Sequence, residues 1–331
     1  MSEELDIEKP GDLIGYLRAS GRVPPGEKLM LSILSGGVSN RTALLERGNG
    51  ESWVVKQALA KLRVAADWYS SPERIHREAL GLRWLAKVAP AGSIVSFIFE
   101  DHEHHLLAMQ AVPLPHENWK TVLLRGELDS NHIVQFGQLL GAIHRNARAL
   151  RDDLEPAFAD TSFFESLRLE PYYAFSAQQV PDASAFLNDL IAETRANRTT
   201  LVHGDYSPKN VLVYDNRLVL LDHEVIHWGD PAFDIGFSLT HLLSKAHHLK
   251  TRRAAFIAAS HLYWKSYNDS SFESRAVRHT LACLLARVAG RSPLEYLSAE
   301  ERGVQQSAVL KLMGNAPAAI PELIEGFASC L

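Results

Sequence analysis

Leu201-Val-His-Gly-Asp-Tyr-Ser-Pro-Lys-Asn-Val-Leu-Val213, followed by Leu221-Asp-His-Glu224 and Gly229-Asp-Pro-Ala-Phe-Asp-Ile-Gly236, holds the densest chemistry in this 331-residue chain. Apolar runs at Val211 to Val213 and Leu218 to Leu221 flank Asp215-Asn216. That pattern predicts a β-hairpin, which would gather Asp205, Asn210 and Asp222. The set suits phosphoryl transfer, where one carboxylate faces the acceptor hydroxyl while an amide and a second carboxylate hold a divalent ion against phosphate charge. Asp205 fits the first role, Asn210 and Asp222 the second. Asp222 ends an apolar run, so a strand is expected to deliver it, with Glu224 on the same face two residues later as a further metal ligand.

At these residues the chain resembles the aminoglycoside phosphotransferase and choline kinase superfamily, whose pattern is H-G-D-x-x-x-x-N followed by a strand ending in D-x-E or D-x-D. The resemblance implies ATP and Mg²⁺ as cofactors. It also implies an α+β, bilobal, protein-kinase-like fold, with a small antiparallel-sheet N-lobe carrying one main helix and a larger, mostly helical C-lobe. Protein-kinase relatives carry Arg where Gly204 stands and D-F-G where Asp222-His-Glu224 stands, so a small-molecule hydroxyl acceptor is the expectation.

The changes of apolar period place the lobes at 1-112, for nucleotide and a short helical extension over Asp12 to Ser20, and 113-331, for catalysis and acceptor. Strands are expected at Leu29 to Leu34, Thr42 to Glu46, Ser52 to Gln57, Ile94 to Phe99 and Leu106 to Gln110, interrupted by one helix with Ile75, Ala79, Leu82 and Leu85 on a face. Ser70 or Ser71 is its expected cap. Beyond 113, His132 to His144, Leu239 to Leu243, Arg253 to Tyr267 and Ala276 to Val288 read as helices.

Ser35-Gly-Gly-Val-Ser-Asn-Arg41 lies between two of the strands. There Gly36 and Gly37 can lay backbone N–H groups over phosphates, with Ser39 and Asn40 beside them, although any β-turn uses such glycines. Lys56 sits alone in the apolar run Trp53-Val-Val-Lys-Gln57, where an ammonium needs anionic partners. It is expected on the ATP phosphates, paired with Glu78 rather than the helix-start Glu73. By resemblance, backbone groups of Gln110 and Val112 contact adenine at the transition between lobes.

Val54 to Leu59, the Glu73 to Leu85 helix, and His116 to Lys120 before Leu123-Leu-Arg-Gly126 are also similar to the methylthioribose kinase branch of the superfamily. That branch commonly has Ser where Asn210 stands, and Ala286-Arg-Val-Ala-Gly290 keeps one arginine of its paired-arginine substrate segment. The acceptor-side candidates are therefore His223, Trp228, Arg287 and Arg291. Each also has an ordinary reading: His223 faces away from Asp222 on a strand, Trp228 packs in a core, Arg287 closes a helix before Gly290, and Arg291 is solvated. His203 and Asp234 are expected to brace the catalytic loop. His102, His104 and His105 read as a solvated turn.

Composition bounds the rest. Net charge −5 opposes a chain-wide attraction to nucleic acid, and no run approaches the length of a membrane span. Two separated cysteines, an acidic start and no apolar leader region favour the cytoplasm. A homodimer stays open. The expected activity is ATP- and Mg-dependent phosphorylation of a hydroxyl on a sugar or sugar-like metabolite. The alternatives are an aminoglycoside phosphotransferase, which should show a strongly acidic acceptor cleft, and a catalytically silent nucleotide-binding regulator.

Overall fold

The structure, a computed structural model, describes residues 5–34, 39–63 and 68–331; Gly36 and Gly37 lie outside the described residues. After helix α1 (Pro10–Ala19), five strands form one antiparallel sheet: β1 (Leu29–Ile33), β2 (Asn40–Arg47), β3 (Ser52–Ala58), β4 (Phe97–Asp101) and β5 (Leu106–Gln110), in the order β1-β2-β3-β5-β4. Helix α2 (Arg74–Val88) interrupts them between β3 and β4.

Alternation along β3 decides what each face does. Trp53 and Val55 enter a core with Ile7, Leu13 and Leu17 from α1 and the chain before it. Val54 faces the other way, toward Ile75, Ala79 and Leu82 of α2, and Lys56, two residues on, shares that face. The far end of α2 leaves this lobe: Leu85 and Val88 join the large core of the second half.

Two expectations shift. β4 starts at Phe97 rather than Ile94, because Ile94 bridges in parallel to Leu220 in the other half of the chain. No side chain caps α2; Ser71 only accepts from the Glu73 N–H at 3.3 Å, while the backbone carbonyls of Ser70 and Ser71 both accept from Arg74. At the β4–β5 turn His102 is exposed, yet His76 of α2 stacks on its ring at 3.8 Å and lies 3.0 Å from Glu100.

Beyond β5 come β6 (His116–Asn118), α3 (Trp119–Leu124), α4 (Ser130–Ala149), α5 (Arg151–Ala157), α6 (Ser162–Phe164), a π-helical stretch over Glu165–Ala174, α7 (Phe175–Gln179) and α8 (Ser184–Ala196). Then follow β7 (Thr200–Val202), β8 (Val211–Tyr214), β9 (Arg217–Leu220) and β10 (His227–Gly229), and helices α9 (Pro231–His248), α10 (Arg253–Tyr267), α11 (Glu273–Ala289), α12 (Ala299–Met313) and α13 (Ile320–Ala328). The expected hairpin is β8–β9, turned by Asp215 and Asn216 at φ of 48° and 56°, and β6 adds a third strand to it. β7 and β10 pair separately.

Helix α9 runs far beyond Leu239 to Leu243 and is buried on every side, so it carries no polar stripe for a periodicity to reveal. It packs against α10 and α11 beneath the catalytic loop. Among the described residues no helix is long and apolar enough to cross a membrane.

Candidate active site

The loop after β7 turns sharply because Gly204 adopts φ +75°, where an added Cβ would stand 3.0 Å from Val225. Asp234, fully buried in the first turn of α9, fixes the turn by accepting from the backbone N–H groups of His203 at 2.7 Å and Gly204 at 2.8 Å. His203 Nδ1 accepts from the Asp205 N–H at 3.2 Å, and its Nε2 lies 3.1 Å from His223 Nδ1. Both histidines are buried structural members of the loop.

Asp205 emerges from this brace with its carboxylate held on two sides. Asn210 Nδ2 donates to Oδ2 at 2.7 Å and to the Asp205 carbonyl at 3.0 Å. Arg168 Nη2 reaches Oδ2 at 2.9 Å, while its other nitrogens donate to the carbonyls of Gly204 and Leu167. Arg168 had no signal in the sequence: it lies in the π-helical stretch, whose side chains fall off the 3.6-residue period.

No strand delivers Asp222. β9 ends at Leu220, and Asp222 sits at φ +66° in an irregular turn, so the period-2 argument for Glu224 does not hold. The turn nevertheless aims both carboxylates into one cavity of about 390 Å³, which Asp205 also lines. Lys56 Nζ bonds Glu78 at 2.7 Å and Asp222 at 3.2 Å. Glu224 meets Arg74 Nε at 3.2 Å and Asn40 Nδ2 at 3.5 Å, and Ser39 lines the same cavity. Arg74, missed in the sequence, is wholly buried and also donates to the carbonyls of Ser39 and Leu59.

Electrostatics follow this packing. Burial opposes charge on Lys56, but Asp222 and Glu78 hold it protonated above its ordinary range. Burial likewise opposes charge on Asp222, and the Lys56 and Lys209 ammoniums overcome it, keeping Asp222 ionised. Glu224 is pushed up by burial and then by the charge of Asp222. Burial pushes Glu78 up to about 7 against the pull of Lys56. Two carboxylates lining one cavity, with the Asn210 amide bonded to the Asp205 that shares it, are the hard-oxygen donors that a Mg²⁺-like cation takes, so the residues present fit a divalent ion.

The acceptor-side candidates separate. Arg287 lines the cavity and donates to the Tyr172 hydroxyl at 3.0 Å. Arg291 does not line it and pairs with Glu170 at 3.1 Å. Trp228 is fully buried in the β7–β10 pair, where core packing excludes it from the cavity wall. His223 is wholly buried behind the catalytic loop. Gln110 and Val112 do not line this cavity but a separate hollow with Ile94 and Pro113, and the Gln110 N–H is already donated to the Ser96 carbonyl at 2.8 Å.

The family model described as the phosphotransferase enzyme family matches residues 31–269. The chain is 23% identical to a methylthioribose kinase of Pectobacterium atrosepticum over 263 residues, 70% of this chain and 64% of that protein. It is 27% identical to one of Escherichia coli over 265 residues, 70% of this chain and 62% of that one. The alignments thus span less than two thirds of these curated relatives. Among solved structures, an amicoumacin kinase in complex with AMP-PNP, Ca²⁺ and Ami superposes with TM-score 0.55 at 14% identity, covering 87% of this chain and 89% of that one. A choline/ethanolamine kinase family protein from Mesorhizobium loti gives TM-score 0.55 at 14% identity, covering 97% and 99%. These likenesses show the bilobal kinase-like fold.

Proposed function

The chain belongs to the phosphotransferase enzyme family, and from that premise we propose that it is an ATP- and Mg²⁺-dependent kinase phosphorylating a hydroxyl of a small, sugar-like metabolite. One observation carries the reading: Asp205, Asp222 and Glu224 line a single cavity, with Asn210 bonded to Asp205 and the Lys56–Glu78 pair bonded to Asp222 behind it. The methylthioribose kinase relatives support a sugar-like acceptor.

Asp205 orients the acceptor hydroxyl and takes its proton, with Arg168 and Asn210 fixing the carboxylate so that one oxygen stays aimed. Lys56 anchors nucleotide phosphates, and Glu78 keeps the lysine in place. A divalent ion held by Asp222, Asn210 and Glu224 would supply charge neutralisation of the phosphates. Lys209 lies on the same wall and adds positive charge where the transferring group passes.

The test is Asp205→Asn, measured as ADP release and acceptor phosphorylation with Mg-ATP over a panel of sugars, methylthioribose, amino alcohols and aminoglycosides. Turnover is expected to fall by about 10³-fold or more, by loss of the base, with ATP affinity within a factor of about three. An unchanged rate would overturn the assignment of Asp205.

A further inference from the structure

The cavity continues past Asp205 and changes character. Arg168 and Arg287 flank the ring of Tyr172, each guanidinium about 5.6 Å from its centroid, so a file of cationic groups leads away from the catalytic carboxylate. Beyond it Lys120 and His241 line the wall, with Lys245 of α9 buried behind them one helical turn past His241. The one carboxylate lining this end is Glu295, and it is paired with Lys120.

Single atoms of these groups lack partners, although Arg287 Nη1 also donates to the Ser292 carbonyl and hydroxyl. Arg287 Nε and His241 Nε2 are buried with no hydrogen bond among the described residues, on side chains that are 91% or more covered. The Tyr296 hydroxyl, in the same neighbourhood, is also unpaired. Lys245 Nζ finds one weak acceptor, the His241 carbonyl at 3.3 Å, and lies 5.5 Å from the centre of the Tyr296 ring, with no carboxylate within ion-pair distance among the described residues. Burying unpaired donors and like charges costs several kcal/mol in aggregate, a cost that an anion entering the cavity would offset.

We infer that the acceptor is an oxyanion-bearing alcohol: its carboxylate or phosphate seats among Arg287, Lys120 and His241 while its hydroxyl reaches Asp205. This rests on the kinase reading for the hydroxyl end, but the anion subsite exists in the geometry without it. A polycationic aminoglycoside meets repulsion at the same wall. Burial, and then the charge of Lys120, push Lys245 down to about 7, with Glu295 opposing and Arg287 adding to the fall. An anion nearby reverses the second cause, so binding at neutral pH takes up protons through Lys245.

The experiment is calorimetric titration of the nucleotide-free protein with gluconate, glucose 6-phosphate and glucose at constant ionic strength, in buffers of differing ionisation enthalpy. At least one of the two anions is expected to bind roughly ten-fold or more tightly than glucose, and which one does distinguishes carboxylate from phosphate. The preference is expected to vanish in Arg287→Gln and to weaken in Lys120→Gln, a position whose side chain keeps 25% of its surface exposed. Proton uptake should disappear in Lys245→Met. Glucose binding as well as both anions, or anion preference surviving both the Arg287 and Lys120 changes, overturns the inference. Because no turnover is read, this result is independent of the Asp205→Asn assay: anion selectivity can fail while ADP release persists, and the reverse.

Discussion

Arg168 is the residue on which the Asp205 carboxylate depends most and which the order of residues least announces. Its guanidinium is fully engaged, with Asp205 at 2.9 Å, the Gly204 carbonyl at 2.8 Å and the Leu167 carbonyl at 2.7 Å, so it positions rather than reacts. Arg168→Leu leaves Asp205 held by Asn210 alone. We expect kcat to fall about 10- to 100-fold with KM for ATP unchanged, and Arg168→Lys to recover part of the loss, because a point charge restores attraction without the fork geometry. A merely structural arginine would lower the melting temperature and leave kcat per folded molecule intact. The Asp205–Asn210 contact was legible beforehand from the spacing of the two residues, and the Lys56–Glu78 pair from a lone lysine in an apolar strand. Arg168 and Arg74 were not, since each acts across the fold, 37 and 150 residues from the carboxylate it meets. Trp228 takes its ordinary reading: a large aromatic near a motif, buried in the β7–β10 pair as packing.

At the scale of elements, α9 explains why the site holds its shape. Gly236 lets α9 approach α11 so closely that an added Cβ would lie 2.6 Å from His279 Cβ and the Thr280 nitrogen. Gly236→Ala is expected to cost about 3 kcal/mol by overpacking, read as a fall in the urea midpoint with an unchanged slope. Because Asp234 lies two residues earlier, loss of loop bracing should accompany it. The same helix carries Lys245, whose folded pKa is depressed from 10.5 to about 7. Between those values the unfolded chain binds the proton and the folded chain does not, so stability rises with pH through that window. Lys245→Met should flatten this slope and stabilise the protein at pH 7 by up to about 4 kcal/mol, which thermal melts at pH 7 and pH 9 would show. A slope unchanged by the substitution would place the titration elsewhere. The hairpin β8–β9 was readable from Asp215-Asn216 because turn chemistry is local. The extent of α9 was not, because an element buried on all sides has no amphipathic period.

Across the whole molecule, two buried ion pairs join what the small sheet carries to what the large lobe carries. Lys56 of β3 reaches Asp222, and Arg74 of α2 reaches Glu224. Both carboxylates are those that fit a divalent ion, so the cations of the small lobe occupy the place of the charge that a metal would bring, and on the proposed function loading the site would redistribute these contacts. The consequence is a thermodynamic cycle. Arg74→Met strands Glu224 without its buried partner and is expected to lower stability by about 3–5 kcal/mol in the absence of metal. In saturating Mg²⁺ and AMP-PNP the ion supplies the missing positive charge, so the deficit should shrink by at least about 1 kcal/mol, and the variant should bind the metal complex correspondingly more tightly than expected from its fold alone. Melting curves of both proteins with and without Mg²⁺–AMP-PNP measure the four corners. An identical deficit in the two states would mean that Glu224 stays with Arg74 when the site is loaded, leaving Asp222 and Asn210 to hold the ion between them.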